Sequence, residues 1–376
     1  MRVKEKNMKQ KQYDVAAYVW PSYTGDEPKA RIFWEEGYGE WQTVKKMQPR
    51  FEGHTWPRKP LWGYVNEADP YVMEMEIEAA TSHGVNVFIY DWYWYDNGPF
   101  LEQCLDNGFL KARNNSKMKF YLMWANHTAN TMWDKRISDL RIPIWDGAVD
   151  RKTFDGIVDR TIEKYFKHPC YYKIEGKPVY MIFHPQNLSR GLGGVEETKR
   201  ALDSFRQKTV AAGFPGLELQ VCLKGQKHME MDVGENTTVL QFINEAGFDS
   251  GSLYQYRDLA PTNVPYPTLF ENAVKEYENW IKKLKLTAYP HVSVGWDSNP
   301  RYNIFHDDVC TDATPENIQK ALEYAKHYVD THPELKVPLI TINSWNEWTE
   351  TSYLHPDDLY GYGYLEAIKR VFKPEE

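Results

Sequence analysis

Apolar residues in this 376-residue chain gather in short runs rich in β-branched and aromatic side chains, and between those runs the spacing becomes helical. Strand-sized runs lie at Asp14–Trp20, Val85–Trp94, Lys119–Asn126, Pro178–Phe183, Leu217–Leu223, Gly251–Tyr254, His291–Trp296 and Pro338–Trp345. Amphipathic spacing predicts helices over Pro70–His83, Asp155–Phe166, Val195–Ala212, Leu269–Leu284 and Pro315–Thr331. Asp69-Pro70 and Thr314-Pro315 are start signals, because a first turn does not need the N–H that proline lacks. Near-continuous apolar strands alternating with helices imply a parallel sheet covered on both faces. Eight such strands favour closure, so the expected fold is α/β, a single (β/α)8 TIM barrel with extended βα loops. No repeat, low-complexity tract or linker divides the chain, which reads as a basic tail over residues 1–13 and one catalytic domain over residues 14–376.

A barrel of this kind places its chemistry where the strands end, and the residues there share a character. Strand one ends in Trp20; strand two in Asp91, Trp92, Tyr93, Trp94 and Tyr95; strand three in Trp124, Asn126 and His127. Strand four ends in His184, strand seven in Trp296 and Asp297, and strand eight in Trp345, Asn346, Glu347, Trp348 and Glu350. Rings, amides and carboxylates on one rim suit a carbohydrate, whose C–H faces stack on aromatics and whose hydroxyls need polar partners. Glu347 and Glu350 carry the sharpest signal. An apolar run delivers them three residues apart, so a helical or 3₁₀ turn would point both into one pocket. Two carboxyls sharing a site have their pKa values pushed apart, which leaves an acid and a base for glycosidic bond cleavage. Asp297 reads equally as a clamp on a sugar hydroxyl or as an ion-pair partner of an arginine such as Arg301. His184 reads equally as a hydroxyl partner or as a buried, satisfied imidazole.

Composition narrows the field. Asp and Glu outnumber Lys and Arg by 53 to 45, with no basic stripe, which argues against a nucleic-acid partner. No segment approaches a membrane span, and the N-terminus lacks an apolar signal region, so the expectation is a cytoplasmic protein, or a periplasmic or secreted one if a leader has been removed. The four cysteines are too scattered for a disulfide framework or a zinc site, and the eleven histidines show no ligand spacing. The chain contains no GxGxxG, P-loop, GxSxG or Asp-x-Asp element. A monomer or weak oligomer with a glycan partner is the expectation. What composition adds positively is aromatic content: 14 Trp, 26 Tyr and 16 Phe, more than a barrel core alone demands.

The motifs resemble the WbsX-like, glycoside hydrolase family 99-like domains. Asn343–Tyr364 (NSWNEWTETSYLHPDDLYGYGY) is similar to their C-terminal NxWNEW signature, and Gly37–Val44 (GYGEWQTV), Pro57–Tyr64 (PRKPLWGY), Val85–Trp94, Phe120–Asn126 (FYLMWAN) and Gly295–Arg301 (GWDSNPR) follow the family order. The resemblance implies a barrel without metal or cofactor. It further implies a retaining mechanism in which Glu347 deprotonates the substrate's 2-hydroxyl to form a 1,2-anhydro sugar, while Glu350 acts as acid and then base. Trp92, Trp94, Trp124, Trp296 and Trp348 are the expected sugar contacts, with Asp91, Asn126, His127, His184, Asp297 and Asn346 as hydroxyl partners. Two positions depart from the pattern: Thr349-Glu350-Thr351 replaces a His-Glu-Gly stretch, and His127 stands where an acid is common. Because the WbsX name is attached to polysaccharide assembly, a glycosyltransferase or transglycosylase on the same barrel is the alternative, with a non-catalytic glycan-binding protein as a third.

Overall fold

The computed structural model describes residues 12–95, 97–133 and 140–373. Most of the expected basic tail, residues 1–11, lies outside the described residues. Eight parallel strands form the centre: β1 Asp14–Val19, β2 Val87–Tyr95, β3 Lys119–Trp124, β4 Lys177–Ile182, β5 Glu218–Leu223, β6 Ser250–Leu253, β7 in two pieces (Thr287–Ala288 and His291–Ser293) and β8 Leu339–Asn343. Each pairs with its sequence neighbour, and β1 pairs with β8, Asp14 lying opposite Leu339. Closure depends on β7. Its first piece pairs with β6 (Ser250 opposite Thr287) and its second with β8 (His291 opposite Thr341). Pro290 interrupts the two because proline has no N–H to donate, while its carbonyl accepts from Thr341 N at 3.1 Å. The expected α/β barrel is therefore what the chain forms.

Four of the five expected helices occur within a few residues of their predicted bounds, at Pro70–His83, Val195–Ala211, Tyr266–Ile281 and Pro315–Thr331. Asp69 caps the first through Tyr71 N, and Thr314 caps the last through Asn317 N. The fifth begins earlier, at Arg151, because the Asp150 side chain accepts from Thr153 N; a wider turn over Ile162–Phe166 completes the predicted span. Shorter helices at Pro185–Leu192, Val239–Glu245 and Gly363–Phe372 were not foreseen, since segments of this length barely register a 3.6-residue period.

The aromatic excess forms a second core above the barrel. Phe33, Phe100, Trp133 and Trp145 interlock there, with ring centroids 4.9 Å apart for Phe33–Trp133 and 5.4 Å for Phe100–Trp145. This loop layer includes one backbone approach that only glycine permits. Gly39 has φ +61°, and a Cβ there would lie 1.7 Å from the Ser22 carbonyl oxygen. Gly39→Ala is expected to lower unfolding free energy by about 2–4 kcal/mol, measured by urea denaturation, since neither backbone can yield without breaking its own bonds.

Candidate active site

At the end of β8 the chain makes a small hairpin. Asn346–Glu347 pairs antiparallel with Ser352–Tyr353, and the turn between them is a single 3₁₀ turn, Trp348–Glu350. The turn brings Glu347 and Glu350 to the same side, as their spacing predicted. Both carboxylates end on one guanidinium: Arg301 Nη2 donates to Glu347 Oε1 at 2.6 Å and Nη1 to Glu350 Oε1 at 2.7 Å. Arg301 comes from the short turn Asn299–Arg301 after β7 and is itself held from behind. Its Nε donates to Thr349 Oγ1 at 2.8 Å and stands 3.5 Å from the buried Glu40 carboxylate. Glu40 in turn accepts from Trp20 Nε1 at 2.5 Å and Thr349 Oγ1 at 3.0 Å.

The pair faces a cavity of about 280 Å³ at the C-terminal mouth of the barrel, near the lower end of ligand-site sizes. Trp20, Tyr93, Trp133, Phe183 and Tyr254 supply its rings, and Asp91 and His127 its further polar groups. Burial, reinforced by Glu350, pushes the Glu347 carboxyl well above the ordinary carboxylate range; Arg301 opposes the shift. Asp91 is raised in the same way by burial, although Tyr254 OH donates to its Oδ2 at 2.8 Å. Its Oδ1 is enclosed and has no protein hydrogen-bond partner. His127 is pushed down to about 4 by burial and is a neutral imidazole at pH 7.

Of the thirteen residues expected at the site, the structure brings Glu347, Glu350, Asp91 and His127 to the cavity. The others stand elsewhere. Strand alternation turns Trp92 and Trp94 away from Asp91 and Tyr93. Trp92 is buried and donates to Glu102 at 2.8 Å, and Trp94 borders a separate groove. Trp124 faces outward onto Phe154 of the covering helix. Asn126 ties strand ends together, its amide donating to the His184 carbonyl and its oxygen accepting from His184 N. His184 caps the helix Pro185–Leu192 through Asn187 N, with its pKa pushed down to about 3 by burial. Asn346 clamps the Trp20 backbone and Glu67. Trp348 stacks on Tyr353 at 3.9 Å, outside the cavity. Asp297 pairs with His54 Nε2 at 2.7 Å, so neither the expected hydroxyl clamp nor the Arg301 ion pair forms. Trp296 borders two adjoining clefts.

The cavity also holds residues that were not assigned to the site from sequence, among them Arg301, Tyr93, Tyr254 and Trp133. Strict period-two alternation from Asp91 points to Tyr93. Arg301 was legible only as the end of the GWDSNPR element and as a possible partner of Asp297, because its actual partners Glu40, Glu347 and Glu350 lie in other segments of the chain. Among the described residues, one cluster has the composition of a metal shell, Glu67, Glu76 and His355, with ligand atoms within 4.8 Å of one another. It lies behind the hairpin. Trp348 Nε1 donates to His355 Nδ1 at 3.3 Å, and His355 Nε2 stands 3.7 Å from Glu76 Oε2. The cluster reads as a hydrogen-bonded support for the hairpin.

Removing Arg301 leaves Glu40, Glu347 and Glu350 without their shared cation. Arg301→Gln is expected to cost about 3–5 kcal/mol of stability at neutral pH. Arg301 lowers the pKa of both Glu40 and Glu347. Without it their folded-state values rise further above the unfolded ones, and the penalty of ionising them is shed as pH falls. The stability gap to wild type should therefore narrow between pH 7 and pH 5, read by denaturant midpoints; a gap that widens would contradict this placement of charge.

Comparison with known proteins agrees with this architecture. Two proteins of Xanthomonas campestris pv. campestris, from strains B100 and ATCC 33913 and both described as uncharacterized protein WxcX, are 25% identical to this chain over 360 residues, 92% of it and 47% of their own length. The chain thus spans about half the length of these curated relatives. Among solved structures, a glycoside hydrolase-like protein aligns over 97% of this chain and 95% of its own with TM-score 0.62 at 13% identity. A GH99 endo-α-mannosidase from Bacteroides thetaiotaomicron aligns over 96% of each chain with TM-score 0.60 at 13% identity. At that identity the likeness concerns the fold. The family described as glycosyltransferase WbsX matches residues 15–368, nearly the whole barrel together with its β8 hairpin, and the chain belongs to that family.

Proposed function

We propose that this chain breaks a glycosidic bond in a polysaccharide or oligosaccharide, with Glu347 and Glu350 as the reacting pair. The observation that carries the reading is their shared hold on Arg301 at the wall of an aromatic-lined cavity. A retaining route through the substrate's 2-hydroxyl suits their different surroundings. Glu347 is the deeper, its side chain 3% exposed against 14% for Glu350. Its raised proton affinity matches the need of a base for a weakly acidic sugar hydroxyl, because the best general base has a pKa near the working pH. Glu350, nearer the opening, can reach both a leaving group and the water that follows. Asp91 and Tyr254 form a hydrogen-bonded pair on the facing wall and suit a sugar hydroxyl. A protein similar in fold is described as a GH99 endo-α-mannosidase, which supports chemistry on a glycan.

A second reading, glycosyl transfer during polysaccharide assembly, is favoured by the family description glycosyltransferase WbsX. The two readings part on the acceptor, since hydrolysis releases free sugar whereas transfer requires a second glycan.

Digestion of a glycan library by wild type, Glu347→Gln and Glu350→Gln is the test. Each substitution is expected to lower kcat/KM on unactivated glycan by about 10³-fold or more, in line with loss of a positioned proton carrier. Glu350→Gln should regain activity on substrates with activated aryl leaving groups, and Glu347→Gln should not. Because ionised Glu347 is the active form of the base, wild-type kcat/KM should fall on acidification with a midpoint above the ordinary carboxylate range. A first product of inverted anomeric configuration, or undiminished turnover by either variant, would exclude the mechanism.

A further inference from the structure

The cavity at Glu347 and Glu350 continues into a second cleft of about 430 Å³, and the two share Arg141, Arg257 and Arg301 in their walls. Arg301 is engaged with Glu347, Glu350 and Thr349. The other two are not. Every other described arginine donates to an oxygen acceptor, from Arg31 on Asp26 to Arg370 on Gln319. Among the described residues, Arg141 and Arg257 form no ion pair or hydrogen bond. A chain with acid in excess by eight charges has carboxylates to spare for its surface arginines, and it leaves two guanidiniums idle where substrate would pass.

Arg257 is also pre-oriented. Its guanidinium carbon lies 4.2 Å over the ring of buried Trp296, so its plane is fixed by stacking while its N–H edges stay free. The Trp296 ring is anchored in turn, Nε1 donating to Asp308 Oδ2 at 3.1 Å, and Ser298 Oγ donates to the same carboxylate. The acids of this wall are therefore occupied by Trp296 and Ser298 in the case of Asp308, and Asp307 forms no ion pair with either arginine. On the other flank, Lys224 Nζ stands 4.4 Å over Phe183, a wall residue of the reacting cavity.

We infer that the second cleft receives an anionic group on the glycan, a sugar carboxylate or a phosphate ester, and that Arg257 and Arg141 bind it beside the reacting bond. This rests on the glycan chemistry proposed above and names its substrate class. Planar bidentate N–H pairs match carboxylate and phosphate oxygens, and such charge-assisted bonds are about twice as strong as neutral ones. The two sources differ in consequence: a carboxylate belongs to an acidic polysaccharide, a phosphate to an activated sugar donor.

The test is calorimetric titration with hexuronic-acid oligosaccharides, neutral hexose oligosaccharides of matched length and linkage, and uridine diphosphate. One acidic probe should bind at least about tenfold more tightly than the neutral set at low salt, with the gap narrowing at about 0.5 M salt. In the Arg141→Gln, Arg257→Gln double variant that gap should vanish, the acidic probe losing its advantage over the neutral set. Both arginines are exposed, so folding is not at stake, and a matched thermal midpoint verifies it. Preference for the uronate arm identifies the carboxylate, preference for the diphosphate arm the phosphate. Equal affinity for acidic and neutral probes, or an acid preference that survives the double variant, overturns the inference. Failure of the underlying chemistry reads differently: Glu347 and Glu350 variants would then keep full turnover whatever the charge of the probe.

Discussion

One buried guanidinium organises the site. Arg301 is the only cation in contact with Glu40, Glu347 and Glu350 among the described residues, and it reaches them through three different nitrogens. These acids come from opposite ends of the chain, Glu40 from the loop after β1 and the two others from the hairpin after β8. Without the guanidinium, burial alone would protonate or expel them. With it, the first and last strands of the barrel are tied across the mouth of the cavity, and the separation of the two carboxyls is fixed by the geometry of one planar group.

The hairpin is supported from behind by the same economy of donors. Trp345 Nε1 donates to Glu76 at 2.8 Å, Asn346 Nδ2 to Glu67, and Trp348 Nε1 to His355. The three signature residues that sequence reading placed against substrate, or beside it, instead hold the backbone on which Glu347 sits. This arrangement stores electrostatic strain. Asp91, Glu67 and Glu347 all have folded-state pKa values raised by burial. A carboxyl raised in this way contributes stability that is present below its unfolded pKa and is lost as pH rises through its folded value. Burial of these carboxyls accordingly costs stability at neutral pH.

The aromatic surplus divides along the same line. Trp20, Tyr93, Trp133, Phe183 and Tyr254 face the cavity. A larger set, including Trp34, Trp41, Trp56 and Trp348, is buried in the loop layer. Extended βα loops need a core of their own, and large rings with a polar handle fill irregular space while satisfying buried acceptors. Trp20 does both, since its ring borders the cavity and its Nε1 binds Glu40.

What the sequence determined by itself was whatever is encoded locally. Strand runs, capped helices and the i, i+3 spacing of Glu347 and Glu350 are short-range patterns, and barrel closure followed from their number and order. Asp91 and His127 were legible because a carboxyl or imidazole just after an apolar run must be satisfied or functional. The tertiary structure decided the facing of each side chain and the pairing of distant charges. Trp92 and Tyr93 are adjacent in sequence and opposite in space, because successive strand residues alternate faces. Arg301 and Glu40 meet across 261 positions, and Asp297 chose His54 over a neighbour four residues away. No local pattern specifies such pairings, because a buried charge takes the partner that closure of the barrel brings within reach.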